Sequence, residues 1–219
     1  MKVTSLSAQL RSPDRVNIFI DGKFRFSLDI SQVVDLKVKV GREYSVEELV
    51  ELEQESLFGK VYMRALEYIL MRPHSAKEVR DYLRRKTYAT KYRSRKTGEI
   101  LEREGVSQSV VERAFDRLLE KKLIDDNKFA IWWIENRNAR KGTSLAKLRS
   151  ELMGKGVNRT VIDQALVTVG RDELADLKKV IEKKRYKYED VRKLKQYLVG
   201  QGFSYSDVND ALAEAEEED

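Results

Sequence analysis

Two adjacent aspartates, Asp125 and Asp126, stand before an apolar run in LIDDNKFAIWWIENR, residues 123–137. Paired carboxylates can work as general acid and base, or hold a metal ion, if both converge on one point. In glycoside hydrolysis the two groups stand about 5–10 Å apart across a cleft. Neighbouring residues at a helix start diverge instead, and a carboxylate there accepts backbone N–H bonds and complements the positive helix end. Phe129 and Trp133 are spaced i,i+4, as are Ala130 and Ile134, so a helix begins at this pair. Asp125 and Asp126 are therefore expected to be structural helix-start residues. The same spacing puts Trp133, and with less support Trp132, in a core, although either indole could stack on a base.

A second constellation is Pro13-Asp14 followed by Asp21-Gly22-Lys23. Its letters copy those of PD-(D/E)xK nucleases, in which two carboxylates hold a metal beside a lysine. Asp-Gly between two β-rich runs is, however, a hairpin-turn pair, so the Asp21 side chain is expected to face solvent at a hairpin tip. His74 is the single histidine and there is no cysteine. Thiolate chemistry, disulfides and a triad with a second histidine are thereby excluded. His74, next to Pro73, reads as a loop or helix-end residue. No catalytic residue, metal or cofactor is expected.

The third group is basic. Arg80, Arg84, Arg85, Lys86, Lys91, Arg93, Arg95 and Lys96 crowd one segment, opposed only by Asp81. Arg140, Lys141, Arg149 and Lys155 form a second set, and Arg192, Lys193 and Lys195 a third. The net charge of +6 hides an asymmetry: Glu214, Glu216, Glu217, Glu218 and Asp219 leave +11 on the residues before them. Such a body suits a polyanionic partner, with a tail able to shield it. Cations near helix C-termini also complement the dipole, and that reading stands beside the first.

The elements that must carry these residues can be traced. RVNIFIDGKFRFSL predicts a hairpin with a type I′ turn at Asp21-Gly22, and residues 3–10 a third strand. ISQVVDL predicts a short helix. Ser45-Val-Glu-Glu48 has capping-box spacing and starts a helix to about Met71, with a break expected near Gly59. Ser75-Ala-Lys-Glu78 is a second box.

Beyond it the chain repeats. KEVRDYLRRK, AKLRSELMGK and RKLKQYLVGQ superimpose, aligning Val79, Leu148 and Leu194, then Leu83, Leu152 and Leu198. Arg80, Arg149 and Lys195 share the basic position between them. Ser75, Ser144 and Asp190 fall where an N-cap belongs. GVSQSVVERAFDRL, GVNRTVIDQALVTV and GFSYSDVNDALAEA form a second triplet, aligning Val111, Ile162 and Val208 and opening on Gly105, Gly156 and Gly202. These glycines are expected at left-handed C′ positions. The first unit carries an 18-residue excess within TYATKYRSRKTGEILERE.

The predicted fold is mainly α: tandem three-helix repeats in an elongated curved array, preceded by a small β-hairpin or three-stranded segment. Expected boundaries are 1–45 for the β-rich domain, 46–121 for the first repeat with a basic insertion at 87–104, 122–169 for the second, and 170–219 for the third with its acidic tail.

LIDDNKFAIWWIENRNARKG followed by LRSELMGKGVNRTVIDQAL, in this repeated context and behind VNIFIDGKFRFSL, resembles the RecX family, bacterial regulators of the recombinase RecA. The resemblance covers essentially the whole chain. It implies a non-enzymatic, cytoplasmic protein of DNA repair and the SOS response that binds the RecA nucleoprotein filament and DNA, single- or double-stranded, and restrains recombination. The insertion departs from the compact family pattern, as do Lys195 and Gln201 where the second repeat has Arg149 and Lys155. A monomer is expected, with no secretory signal and no membrane span. Two alternatives stay open: a RecA-independent nucleic-acid-binding module, and a metal-dependent nuclease using Asp14, Asp21 and Lys23.

Overall fold

The computed structural model describes residues 1–10, 12–95, 97–188 and 190–217, with side chains described up to residue 215. The chain packs as two compact units. One comprises residues 1–72 and 79–123, the other residues 73–78 and those from Ile124 onward.

The first unit opens with a three-stranded antiparallel sheet, β1 (Val3–Gln9), β2 (Ser12–Ile20) and β3 (Lys23–Asp29), in that order. The β2–β3 turn is Asp21-Gly22 with φ of 49° and 79°, the two positive values a type I′ turn needs. Asp21 is not free at the tip, as its sequence suggested: its Oδ1 accepts from the Lys2 N–H at 3.0 Å, tying the turn to the start of β1.

Asp29 and Gln32 form a reciprocal capping box for α1 (Ile30–Asp35). Ser45 and Glu48 do the same for α2 (Val46–Leu70). Ile18, Leu28 and Leu49 are buried together, fixing α2 against the sheet. The expected break at Gly59 does not occur, and α2 runs through it. A Cβ at Gly59 would lie 2.5 Å from Gln32 Oε1, so the glycine is there for close approach of α1 and does not break the helix.

After α3 (Ala76–Arg84) and a 3-10 turn at Arg85–Thr87, the insertion folds into a hairpin that its sequence does not announce, β4 (Thr90–Arg93) with β5 (Ile100–Arg103). Gly105 is not left-handed. Its missing Cβ, which would fall 1.9 Å from the Thr87 carbonyl oxygen, lets the returning chain pass that turn. Helix α4 (Gln108–Glu120) then packs on α2, held by the Arg113–Glu55 bidentate pair at 2.5 and 2.9 Å.

The second unit holds two helix triplets with separate cores. One is α5 (Asp126–Asn136), α6 (Leu145–Gly154) and α7 (Arg159–Val169). The other is α8 (Glu173–Lys184), α9 (Val191–Gly200) and α10 (Tyr205–Glu217). Phe129, Ala130, Ile134, Leu148, Leu152 and Ile162 fill the first core; Leu177, Leu194, Leu198 and Val208 anchor the second. Trp132 and Trp133 are half-buried against the first, and the Trp133 indole N–H donates to Glu151 Oε2 at 3.1 Å.

The ends of α6 and α9 match in detail. Gly156 (φ 80°) donates to the Met153 carbonyl and Val157 to Leu152; Gly202 (φ 94°) donates to Val199 and Phe203 to Leu198. Both are Schellman motifs, which satisfy the last carbonyls of a helix through a left-handed glycine.

Candidate functional site

The aspartate pair resolves first. Asp125 Oδ1 accepts from the N–H groups of Asn127 and Lys128 at 2.9 and 3.1 Å, capping α5. Asp126 does something else: its Oδ1 accepts from the N–H of Ala76, the first residue of α3, at 2.8 Å. Each carboxylate thus satisfies an orphan donor of a different helix. The pair recurs as Asp172-Glu173. Asp172 caps α8 through the Ala175 N–H at 3.0 Å, and Glu173 Oε1 accepts from Leu145, the first residue of α6, at 2.8 Å. These carboxylates diverge, which is no arrangement for acid–base catalysis.

The nuclease-like letters separate as well. Asp14 lies near the start of β2 and Asp21 just past its end, seven residues along a strand, or about 23 Å at the usual rise. One metal ion cannot bind both. Among the described residues no cluster of three or more His, Cys, Asp or Glu side chains could hold a metal. His74 lies in the loop before α3, within its expected loop or helix-end placement, and is buried there with Ser75.

The serine caps also join helices. Ser75 Oγ accepts from the Glu78 N–H at 3.1 Å and donates to the Lys155 carbonyl at 2.8 Å. Ser144 Oγ accepts from Lys147 at 3.1 Å and donates to the Gln201 carbonyl at 2.6 Å. A hydroxyl does both because it carries a donor and an acceptor.

The basic positions divide into struts and free cations. The repeated position contacts a neighbouring helix in all three cases, although Arg80 stays exposed. The Arg80 guanidinium lies 4.4 Å from the Phe115 ring centre, Arg149 Nε pairs with Asp163 at 3.1 Å, and Lys195 Nζ lies 5.4 Å from the Tyr205 ring. Each reaches from the middle helix of a triplet to its third helix. Lys155 is a strut too. Its ammonium pairs with Glu78 at 2.6 Å and sits 4.2 Å from the Trp133 ring centre.

The others face solvent. Arg84, with one weak pair to Asp81 at 3.4 Å, and Arg85 are exposed at the end of α3, and Lys86 lies 4.4 Å over the Tyr82 ring. Lys91, Arg93 and Arg95 are exposed on the hairpin, where Arg93 Nε donates to the Gly98 carbonyl at 2.8 Å. Lys96 lies outside the described residues. Arg140 and Lys141 are exposed in the α5–α6 loop, and Arg192 and Lys193 at the start of α9. Of the acidic run, Glu214 pairs with Lys178 at 2.8 Å.

Sequence reasoning missed a cavity of about 450 Å³ between α2 and the hairpin in the first unit, walled by Lys60, Arg64, Lys86 and Arg103 with Tyr88 and Glu104. Burial, and then the charges of Arg15 and Arg64, hold the Lys60 ammonium below its ordinary pKa. That is the signature of a crowded positive site. Lys60 and Arg64 stand i,i+4, and this spacing was the signal available for finding them.

These observations define a class: a tandem helical-repeat protein with an N-terminal antiparallel sheet and many exposed cations. The family models agree. Residues 1–45 match that of the "Regulatory protein RecX N-terminal domain" and residues 125–166 that of "RecX, second three-helix domain". A regulatory protein RecX of Bacillus licheniformis is 29% identical across 99% of this chain and 78% of its own length. One of Clostridium tetani is 29% identical across 96% of this chain and 93% of its own. A crystal structure of regulatory protein RecX superposes with a TM-score of 0.69 at 23% identity, covering 95% of this chain and 97% of that one, which supports the fold. The chain is thus similar to RecX proteins along nearly all of its length.

Proposed function

We propose that this protein is a non-enzymatic regulator that binds the RecA–DNA filament in the cytoplasm and lowers RecA recombinase and ATPase activity. The observation that carries the proposal is the match, along 99% of the chain, to a bacterial protein named regulatory protein RecX. The surface chemistry supports it. A RecA–DNA filament presents phosphates and repeated protein surface, and exposed lysines and arginines meet both without reading base sequence. The hairpin cations Lys91, Arg93 and Arg95, with Arg84 and Arg85, are the contacts proposed in the first unit; Arg140, Lys141, Arg192 and Lys193 are those in the second.

The test is RecA ATPase on single-stranded DNA, with filament length measured by electron microscopy in parallel. Added protein is expected to lower the ATPase rate and shorten filaments. Unchanged ATPase, filament length and strand exchange at excess protein would refute the proposal. A second reading, nucleic-acid binding without RecA, draws on the cationic cavities. It predicts DNA binding that is steeply salt-dependent with RecA absent.

A further inference from the structure

The second unit contains a cavity of about 570 Å³ between the α5–α6 loop and the helices α8 and α9. Five cations line it, Arg140, Lys141, Lys147, Lys183 and Lys184, and no carboxylate does. Of these, the sequence pattern points only to Arg140 and Lys141.

Comparing the two serine-capped junctions explains the excess charge. Where Ser75 meets the end of α6, Glu78 takes the Lys155 ammonium at 2.6 Å, so that cation is paired with a carboxylate. Where Ser144 meets the end of α9, the corresponding residues are Lys147 and Gln201, and the lysine Nζ donates to the glutamine Oε1 at 2.7 Å. The polar strut survives, but its acceptor is now a neutral amide. Two of the other cations are held by neutral groups. Lys183 Nζ donates to the Arg140 carbonyl, and Lys184 Nζ lies 5.5 Å from the Tyr197 ring centre. Among the described residues none of the five forms an ion pair. Like charges gathered in a concave wall repel one another and focus a positive potential, which an anion relieves.

Two further features specify the anion. Thr143, in the same wall, has a buried hydroxyl oxygen with no hydrogen-bond partner. Turned about χ1, it would donate to a phosphate oxygen. Tyr186, also in the wall, is 75% exposed, with the Lys187 ammonium 5.7 Å from its ring centre. An exposed ring beside a cationic groove is a platform for an unpaired base. A duplex keeps its base faces stacked and would leave the ring unused.

We propose that this cavity binds the backbone of a single nucleic-acid strand, its five cations neutralising phosphates while Tyr186 stacks on a base. The proposal rests on the filament reading and deepens it, by placing a contact on the DNA of the filament and not on the recombinase.

The test is fluorescence anisotropy of a labelled oligothymidylate with the full-length protein and no recombinase. The Lys141→Glu/Lys184→Glu variant is expected to bind at least tenfold more weakly than a Lys39→Glu control, whose substitution falls on an exposed loop of the other unit. In Lys141→Gln/Lys184→Gln, the slope of log affinity against log salt should fall by about 1.4, at about 0.7 for each phosphate of a single strand left without its cation. Tyr186→Ala should bind about fivefold or more weakly with an unchanged slope, because stacking releases no counterions. Circular dichroism melts verify that each variant is folded.

Binding and slopes equal to the control in the charge variants would overturn the proposal. So would loss of recombinase binding with oligonucleotide binding intact, which would assign the cavity to an acidic protein surface. RecA ATPase with wild-type protein decides the regulator reading separately: a null result there, with the oligonucleotide results as expected, leaves the cavity assignment standing.

Discussion

Removing one buried carboxylate, Asp176, should loosen the second unit more than removing any surface charge. Asp176 lies in the first turn of α8 with its side chain 3% exposed, facing an Arg171 side chain 9% exposed. Its Oδ2 accepts from Arg171 Nε at 2.6 Å and from the Thr143 N–H at 3.3 Å, and its Oδ1 accepts from Lys179 at 2.9 Å. Arg171 Nη1 in turn donates to the carbonyls of Ile134 and Arg137 at 2.5 and 2.8 Å. One ion pair thus ties the end of α5, the α5–α6 loop and the start of α8. In Asp176→Ala the guanidinium stays buried without its counter-charge, a loss of about 3–5 kcal/mol. At about 2–4 °C per kcal/mol for a chain of this size, the melting temperature should fall by about 6–20 °C. Calorimetry and urea titration at neutral pH measure both quantities. Arg171→Met/Asp176→Leu replaces the pair with apolar groups and removes the stranded charge, so it should cost less than Asp176→Ala alone. A cost below about 1 kcal/mol for Asp176→Ala, or a double variant equal to the sum of its singles, would refute this account.

The aspartate pair makes a separable prediction. Asp125→Ala should cost about 1 kcal/mol and raise amide exchange in the first turn of α5, whereas Asp126→Ala should expose the amide of Ala76 and leave α5 protected. Exchange rising at the same amides in both variants would show that the two carboxylates do not divide the work. Glu151 predicts a pH effect. Burial alone would raise its pKa, but the hydrogen bonds and charge of Arg137, the Trp133 indole and the charge of Lys147 outweigh burial and hold it below the ordinary value. Its stabilising contribution is therefore present above the unfolded-state pKa of about 4.3 and lost as pH falls through the lower folded value. Glu151→Gln should be less stable than wild type at pH 7, and denaturant midpoints should converge below about pH 4. Gly202→Ala places a Cβ 2.8 Å from Ser144 Oγ at a φ of 94°, and should cost about 1–3 kcal/mol in thermal unfolding.

What the sequence disclosed was local. Ser45, Ser75 and Ser144 were legible as caps because a cap and its target lie three residues apart. The stripes through Leu148 and Leu152 were legible because a helix repeats its face every three to four residues. What it concealed depends on distant partners. Asp126 and Ala76 are 50 residues apart, and nothing near either announces the bond. Lys60 and Arg64 on α2 gain meaning only when Arg103 arrives beside them on β5. The hairpin of the insertion was hidden because its strands are four residues each and exposed throughout, so no buried face imposes an alternation of apolar and polar residues.

The repeats carry a further lesson about where function lies in such a chain. Arg80, Arg149 and Lys195 recur in register and invite a binding reading, yet each bridges the second and third helices of its own triplet. Every triplet faces the same packing problem, so packing alone makes a position repeat. A partner that meets one triplet imposes no such periodicity, and its mark is the place where equivalent positions differ. The change from the Glu78–Lys155 pair to Lys147 and Gln201 is such a place: the same strut is rebuilt without its negative charge, beside a cavity lined by four more cations. Restoring the pair as Lys147→Glu/Gln201→Lys should therefore keep the fold, because that pairing already closes the other junction, while removing one positive charge from the cavity and with it affinity for single strands. Equal oligonucleotide affinity in that variant would mean that the difference between the junctions has no bearing on binding.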